Sequence, residues 1–376
     1  MELIYSLLHS VILAVVSFLI ALGSFFTTHT SVAINAPVAT TTPTTIVATT
    51  TTDKVSTPAK PKVVTQKSGL PSVAKQDART GDPRTFEAAP SVEYSTEQLN
   101  TIARASLVNV LCTTGSGGSF NPISGSGVII DSRGIILTNA HVGQYFLLKD
   151  YPTTNNISCV IRVGSPAQTR YTAQLLYLPP AWINANASKI KQDSPTGTGE
   201  NDYAFLLITG TTDPDGTLPS SFPALPMDGA DPQVGAHMLL AAYPAGFLGG
   251  ISITLNLYIT SAVATVGEVY TFADQANTDL FSLGGTIVSQ SGSSGGAVVS
   301  LQGKLQGLIA TEIPGDTTSM RDLRAITIAH INRSLIAAGL GGIISLLSQD
   351  AASFSANFYK NTAPAETKAL EDVLNH

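Results

Sequence analysis

Apolar and polar positions alternate along this chain in three different regimes. Residues 3–26 are apolar almost throughout, interrupted only by Ser6, His9, Ser10, Ser17 and Ser24 among the mildly polar types. Residues 27–94 are dominated by Thr, Pro, Ala, Val and Lys, with no sustained period of apolar positions. From residue 95 onward, short β-branched and apolar runs are separated by Gly-, Pro-, Ser- and Asp-containing turns, the pattern of strands rather than of long helices. A first series of runs falls at 107–111, 127–131, 135–139, 157–163, 172–177 and 203–209. A second falls at 234–242, 252–259, 262–268, 280–283, 286–288, 297–300, 305–311 and 325–329. The folded region is therefore predicted to be all-β and rich in turns. Three stretches depart from it. Ser95-Thr96-Glu97-Gln98 has the spacing of a capping box and predicts a short helix to about Ala105. Residues 178–201, with Pro179-Pro180 and Pro195, read as a long inserted loop that either borders a cleft or is a tolerated surface excursion. Residues 334–338 and 342–359 are helix-like and lead into a charged tail at 366–376.

The first two regimes are not expected to join the core. As a helix, the apolar run of about 24 residues would rise roughly 36 Å, enough for a hydrocarbon core of about 30 Å. Residues 1–26 are therefore read as a transmembrane signal-anchor helix. A cleaved signal peptide is the competing reading, but Glu2 stands where a basic start is usual, and the nearest small-residue site, Ala33-Ile34-Asn35-Ala36, lies well past the run. Residues 27–94 bury too little apolar surface to offset their ordering entropy and are expected to form a disordered stalk. Charged residues make up only 12% of the chain and the net charge is −6, which removes nucleic acid from the expected partners. Cys112 and Cys159 fall on predicted strands and either pair or remain as buried thiols.

Chemistry concentrates at three places. Ser294 lies in Ser289-Gln290-Ser291-Gly292-Ser293-Ser294-Gly295-Gly296, directly before an apolar strand. Flanking glycines leave a hydroxyl uncrowded and let backbone amides turn towards one point, as a nucleophile requires. A plain Gly/Ser turn would have the same composition. His141 closes the strand Ile135-Ile136-Leu137-Thr138-Asn139, a fixed place for a general base, and Asp202 is a single acid opening an apolar strand. Burial of that carboxylate is costly unless it accepts hydrogen bonds, which an imidazole N–H supplies. A core histidine and a strand-start turn residue are the bland alternatives.

Taken together and in order, these motifs resemble the chymotrypsin-like serine proteases, and most closely their bacterial HtrA-type branch. Thr138-Asn139-Ala140-His141-Val142, Asn201-Asp202-Tyr203-Ala204 and Gly292-Ser293-Ser294-Gly295-Gly296 carry the resemblance, supported by Gly125-Ser126-Gly127-Val128-Ile129 and by residues 301–308; it extends over about 98–340. It implies two six-stranded antiparallel Greek-key β-barrels in a protease domain at 95–340, at about 105–210 and 225–332; beyond it, the helix-like pattern itself predicts a helical tail at 341–376. It implies a triad of His141, Asp202 and Ser294, with the amides of Gly292 and Ser294 as oxyanion donors. Val288 would floor the primary specificity pocket, disfavouring Lys or Arg there, and Ile309, Ala310 and Thr311 would pair with extended substrate. No metal or other cofactor is called for. Ser293 departs from the family, which has Asp or Asn there, and no PDZ domain is expected after the protease. The resulting expectation is a membrane-anchored serine endopeptidase with its protease domain outside the cytoplasm, acting on unfolded or exposed protein segments. A catalytically silent module that captures extended peptides is the alternative, and a stalked adhesion protein a weaker one. The number of subunits is left open.

Overall fold

In the computed structural model the described residues are 62–63, 93–115, 123–192, 197–246, 248–273 and 277–376. The apolar run at 3–26 and nearly all of the Thr/Pro-rich segment lie outside them. Among the described residues no helix is long and apolar enough to cross a membrane.

A two-residue strand, β1 (Lys62–Val63), precedes the main fold. The capping box acts as its spacing predicts: Gln98 N–H donates to Ser95 Oγ, Ser95 N–H donates to Gln98 Oε1, and helix α1 runs Thr96–Ser106. Strands β2 (Leu107–Thr114), β3 (Ile123–Asp131), β4 (Ile135–Thr138), β5 (Ile157–Val163), β6 (Gln168–Tyr177) and β7 (Ala204–Thr211) then close into a barrel in the order β2-β3-β4-β7-β6-β5. One face of its strands, carrying Val108, Val110, Ile129, Ile136, Ile161, Leu175 and Leu206, fills the interior, and all seven are essentially fully buried. Cys112 and Cys159 stand opposite each other on β2 and β5 and form a disulfide, which settles the alternative left open by the sequence.

The second half is a half-barrel sheet, consistent with the expected double-barrel architecture, but its ladders do not close and it holds more than six strands. Strands β8 (His237–Ala242), β9 (Thr260–Thr265), β10 (Val269–Thr271), β11 (Leu280–Ser282), β12 (Ala297–Ser300), β13 (Leu305–Ile313) and β14 (Asp322–Thr327) join β1 in an eight-stranded sheet ordered β1-β10-β11-β14-β13-β12-β8-β9. The reason is a corner at Val266-Gly267-Glu268. Val266 still bonds back to Gly235 and Ala236 beside β8, whereas Gly267 and Glu268 have already switched to Ser282 on β11. One continuous stretch of chain thus turns between the two ends of the sheet, and no ladder joins β9 to β10.

Two predicted strands are corrected. The Ser-Ile-Thr-Leu alternation at 252–259 reads as a strand, but the chain forms a helix over Gly250–Leu255 with no buried residue. Its C-terminal carbonyls find a donor instead of a neighbouring strand: the guanidinium of Arg162, 1% exposed, donates to Ile253 O at 2.9 Å and Thr254 O at 2.7 Å. Residues 286–288 form a turn, in which Ser289 N–H donates to Thr286 O and Thr286 N–H to Ser289 Oγ.

The helical tail begins earlier than expected and is not a solvated appendage. Helices Ile328–Ala337, Ile343–Ser348, Ala351–Asn361 and Ala363–Asn375 follow β14. The third lies on β6, where Leu175 N–H donates to Tyr359 Oη at 3.2 Å. The last, hereafter the C-terminal helix, packs on the segment between β6 and β7, which is itself ordered into a helix at Pro180–Asn186 and a 3-10 turn at Ala187–Lys191.

The C-terminal helix carries a titratable group in an unusual setting. Glu366 is 3% exposed, neither carboxyl oxygen has a hydrogen-bond partner, and burial pushes its pKa from 4.5 up to about 8. A carboxyl raised in this way favours folding while protonated. That contribution is complete below 4.5 and is lost as pH rises through about 8, at about 1.4 kcal/mol for each pH unit. Glu366→Gln is therefore expected to match the wild type near pH 4.5 and to exceed it by a few kcal/mol above pH 8. Urea midpoints across that range measure this, and a gap that does not change with pH would contradict it.

Candidate active site

The loop entering β12 is shaped by glycines for specific steric reasons. Gly292 and Gly295 have φ of +89° and +84°, in the left-handed region. A Cβ on Gly292 would stand 2.7 Å from Tyr243 O, and one on Gly295 would run into the Ser126 carbonyl. With no side chains there, the loop presses against both halves of the domain. Within it, Ser293 N–H donates to Gln290 O at 3.2 Å, Gly295 N–H to Ile309 O at 2.8 Å and Gly296 N–H to Ser293 O at 2.9 Å. The amides of Gly292 and Ser294 have no acceptor among the described residues. Two unsatisfied donors flank one tied amide, beside the Ser294 hydroxyl, and such donors suit an oxyanion. The Ser293 hydroxyl, 1% exposed, is buried without a partner.

One residue holds the loop to the first barrel, and its role was not evident from the sequence. Ser126, fully buried on β3, donates its N–H to Ser294 O at 2.7 Å and its Oγ–H to Gly292 O at 2.7 Å. Its Oγ also accepts from Tyr243 N–H at 2.9 Å, and its carbonyl accepts from Thr138 Oγ1 at 2.7 Å. The available signal was a lone serine between Gly125 and Gly127 at the start of an apolar strand.

His141 leaves the end of β4 in a short helix, Ala140–Gly143, and meets the acid at the start of β7. Its Nδ1 lies 2.7 Å from Asp202 Oδ2, and its backbone N–H donates to Asp202 Oδ1 at 3.0 Å. An ionised carboxylate only accepts, so Nδ1 carries the proton and Nε2 presents its lone pair. Burial pulls the His141 pKa down, but the charge of Asp202 and its hydrogen bond outweigh burial and raise it above the ordinary 6.5. Asp202 is 5% exposed, and its carbonyl is held by Asn139 Nδ2 at 2.8 Å. Among the described residues the Ser294 hydroxyl has no hydrogen-bond partner, His141 Nε2 included. The serine is partly exposed in the same cleft, and its χ1 has staggered alternatives.

A second imidazole–carboxylate pair shows what a structural one looks like. His330 Nδ1 lies 2.9 Å from Asp279 Oδ1, which Arg333 also contacts at 2.7 Å. Despite burial, hydrogen bonds from His330, the Phe272 amide and Arg333 hold the Asp279 carboxyl far below the usual carboxylate range. Neither residue lines the cleft that contains Ser294.

That cleft has a volume of about 680 Å³ and brings together His141, Asp202, Gly292, Ser294, Ile309, Ala310 and Thr311. Val288 is not on its wall. The turn at Thr286–Ser289 directs Val288, fully buried, into the core beside Leu240, Val298 and Ile309. The wall there is formed by Gln290 and by Leu323 on β14, whose backbone pairs with Glu312 of β13. Leu323 was not singled out in the sequence because it belongs to a strand 29 residues past the serine, with no motif around it. A second hollow, of about 650 Å³, is lined by Gly339, Leu340, Gln349, Phe354 and neighbours and shares none of these residues.

A barrel-plus-sheet fold thus brings an imidazole–carboxylate pair and a glycine-framed serine onto one cleft. Residues 125–308 match the family model described as the trypsin-like peptidase domain, a span that contains His141, Asp202 and Ser294. Among solved structures the chain is similar to the HtrA-type protease AlgW with decapeptide, at 17% identity and a TM-score of 0.42, covering 66% of this chain and 69% of that one. It is also similar to the active form of the Rv3671c protease from M. tuberculosis, at 17% identity and a TM-score of 0.40, covering 72% of this chain and 96% of that one. No curated protein matches the chain.

Proposed function

We propose that this domain is a serine endopeptidase in which Ser294 is the nucleophile, His141 the general base and Asp202 the residue that holds the imidazole. His141 Nε2 takes the Ser294 proton as Oγ attacks a peptide carbonyl, and returns it to the leaving amine. Asp202 keeps the proton on Nδ1 and stabilises the imidazolium as it forms. The amides of Gly292 and Ser294 receive the oxyanion; one such donor is worth about 2.7–4 kcal/mol of barrier. Extended substrate pairs with the backbone of Ile309–Thr311, and the side chain before the scissile bond enters the space bounded by Gln290 and Leu323. With Leu323 as the apolar side of that space, small or medium apolar residues are favoured there. The observation that carries this reading is the 2.7 Å contact between His141 and Asp202 in the cleft that also presents Ser294. The chain is further proposed to be held in a membrane by residues 3–26 with the domain outside the cytoplasm, a placement supported by the Cys112–Cys159 disulfide.

Assays on an unfolded protein substrate test the proposal. Cleavage is expected, with kcat/KM rising along an acid limb whose midpoint lies above 6.5, because the base must be neutral and its pKa is raised. Substrate that binds but is not cleaved at any pH would leave the silent peptide-binding reading, which the unbonded Ser294 hydroxyl favours.

A further inference from the structure

The walls of the cleft extend past the three reacting side chains. The segment between β6 and β7 contributes Trp182 and Ile190, each 7% exposed, and the C-terminal helix contributes Leu374. Tyr151, on the same wall, donates its hydroxyl to Asn375 Oδ1 at 3.0 Å and so fixes the end of that helix beside the cleft. Nearer the helix start, Thr367 Oγ1 donates to Leu147 O at 3.4 Å. The last helix of the predicted helical tail is thereby tied to the chain that leaves His141 and to the segment that leads to Asp202.

We propose that the C-terminal helix is part of the substrate site: Leu374, with Tyr151, Trp182 and Ile190, forms a subsite for an apolar side chain of an extended polypeptide. This rests on the peptidase reading above. Successive side chains of an extended strand point in opposite directions. If the residue whose carbonyl Ser294 attacks points towards Leu323 and Gln290 in the second half of the domain, its N-terminal neighbour points towards the first barrel. That is where Leu374 and Trp182 stand. The subsite therefore selects the residue immediately before the one attacked, and it favours Leu, Phe or Met over Ser or Gly. Lys189 and Lys191 also border the cleft, and Lys189 Nζ is engaged by Asn186 Oδ1 at 2.9 Å.

The test combines a peptide-library cleavage profile with the rate of labelling by a fluorophosphonate, in the full chain and in its Leu374→Ser and Asn375→Ala variants. The wild type is expected to label at Ser294 and to prefer apolar residues at that one position. Leu374→Ser is expected to lose the preference and about tenfold in kcat/KM on the preferred peptide, with the labelling rate unchanged. Asn375→Ala is expected to do the same to a smaller extent. A Leu374→Ser variant that labels normally and keeps the preference would overturn the subsite. Loss of labelling in both variants would make the helix a support of the reacting centre and would overturn it as well. A wild type that does not label at Ser294 is a different result: the peptidase reading then fails, and the subsite with it.

Discussion

Ser294→Ala is expected to lower the rate of peptide hydrolysis by about 10⁴- to 10⁶-fold while leaving the fold intact. The rate falls because no other hydroxyl stands in the glycine-framed position: Ser293 is buried and Ser291 sits before Gly292, outside the pair of free amides. The fold survives because the Ser294 side chain makes no hydrogen bond among the described residues. The contacts that seat the loop are backbone ones, from Ser126 N–H to Ser294 O and from Gly295 N–H to Ile309 O, and alanine keeps both. The thermal midpoint should therefore shift by no more than a surface substitution would, within about 0.5 kcal/mol. Residual hydrolysis above background would come from the Gly292 and residue-294 amides, which the variant retains. Loss of activity accompanied by loss of the cooperative melting transition would instead place Ser294 among the structural residues.

Asp202→Asn is expected to lower kcat by about 10⁴-fold, through the proton on His141 rather than through geometry. The aspartate now accepts two bonds, from the His141 backbone N–H and from Nδ1–H. An asparagine offers one oxygen and one NH2 group. If the oxygen stays with the backbone N–H, the NH2 group faces Nδ1, which must then accept, and the ring proton moves to Nε2. Nε2 is the atom that has to receive the serine proton, so the base is blocked. The substitution also removes both influences that raise the His141 pKa, and burial alone then pulls it down. The residual activity should therefore show an acid limb displaced to lower pH than in the wild type. A drop in rate without that displacement would mean that Asp202 acts only by holding β7 and the His141 helix together.

The strand pattern of the first barrel was legible in the sequence because each strand is short, β-branched and bounded by turn residues, and because the barrel closes by neighbouring ladders. The second half was legible only locally. Nothing in Val266-Gly267-Glu268 announces that the chain changes hydrogen-bond partners there, and that corner is what leaves the sheet open. The error at 252–259 has the same origin: the alternation Ser-Ile-Thr-Leu suits a strand, but the stabilising partner is Arg162, about 90 residues away, which reads as an ordinary strand cation in sequence. At the site, His141, Asp202 and Ser294 stood out because each sits in a short local motif, and around Ser294 the flanking glycines are sterically required. Ser126, Leu323 and Leu374 did not. A residue that works by meeting a distant loop leaves no local signature, and Leu374 lies in a segment whose composition is that of any amphipathic helix. Glu366 was hidden for the same reason, since its burial depends on where the C-terminal helix lands.

The central claim is that one hydroxyl, activated by one imidazole, does the chemistry. The most direct test is to treat the full-length protein with a fluorophosphonate and map the adduct by peptide mass spectrometry. The expected result is one equivalent of label per chain on the peptide that contains Ser294, abolished in Ser294→Ala and slowed severely in His141→Ala. Absence of label on a folded wild-type protein, or label that persists in Ser294→Ala, would contradict it.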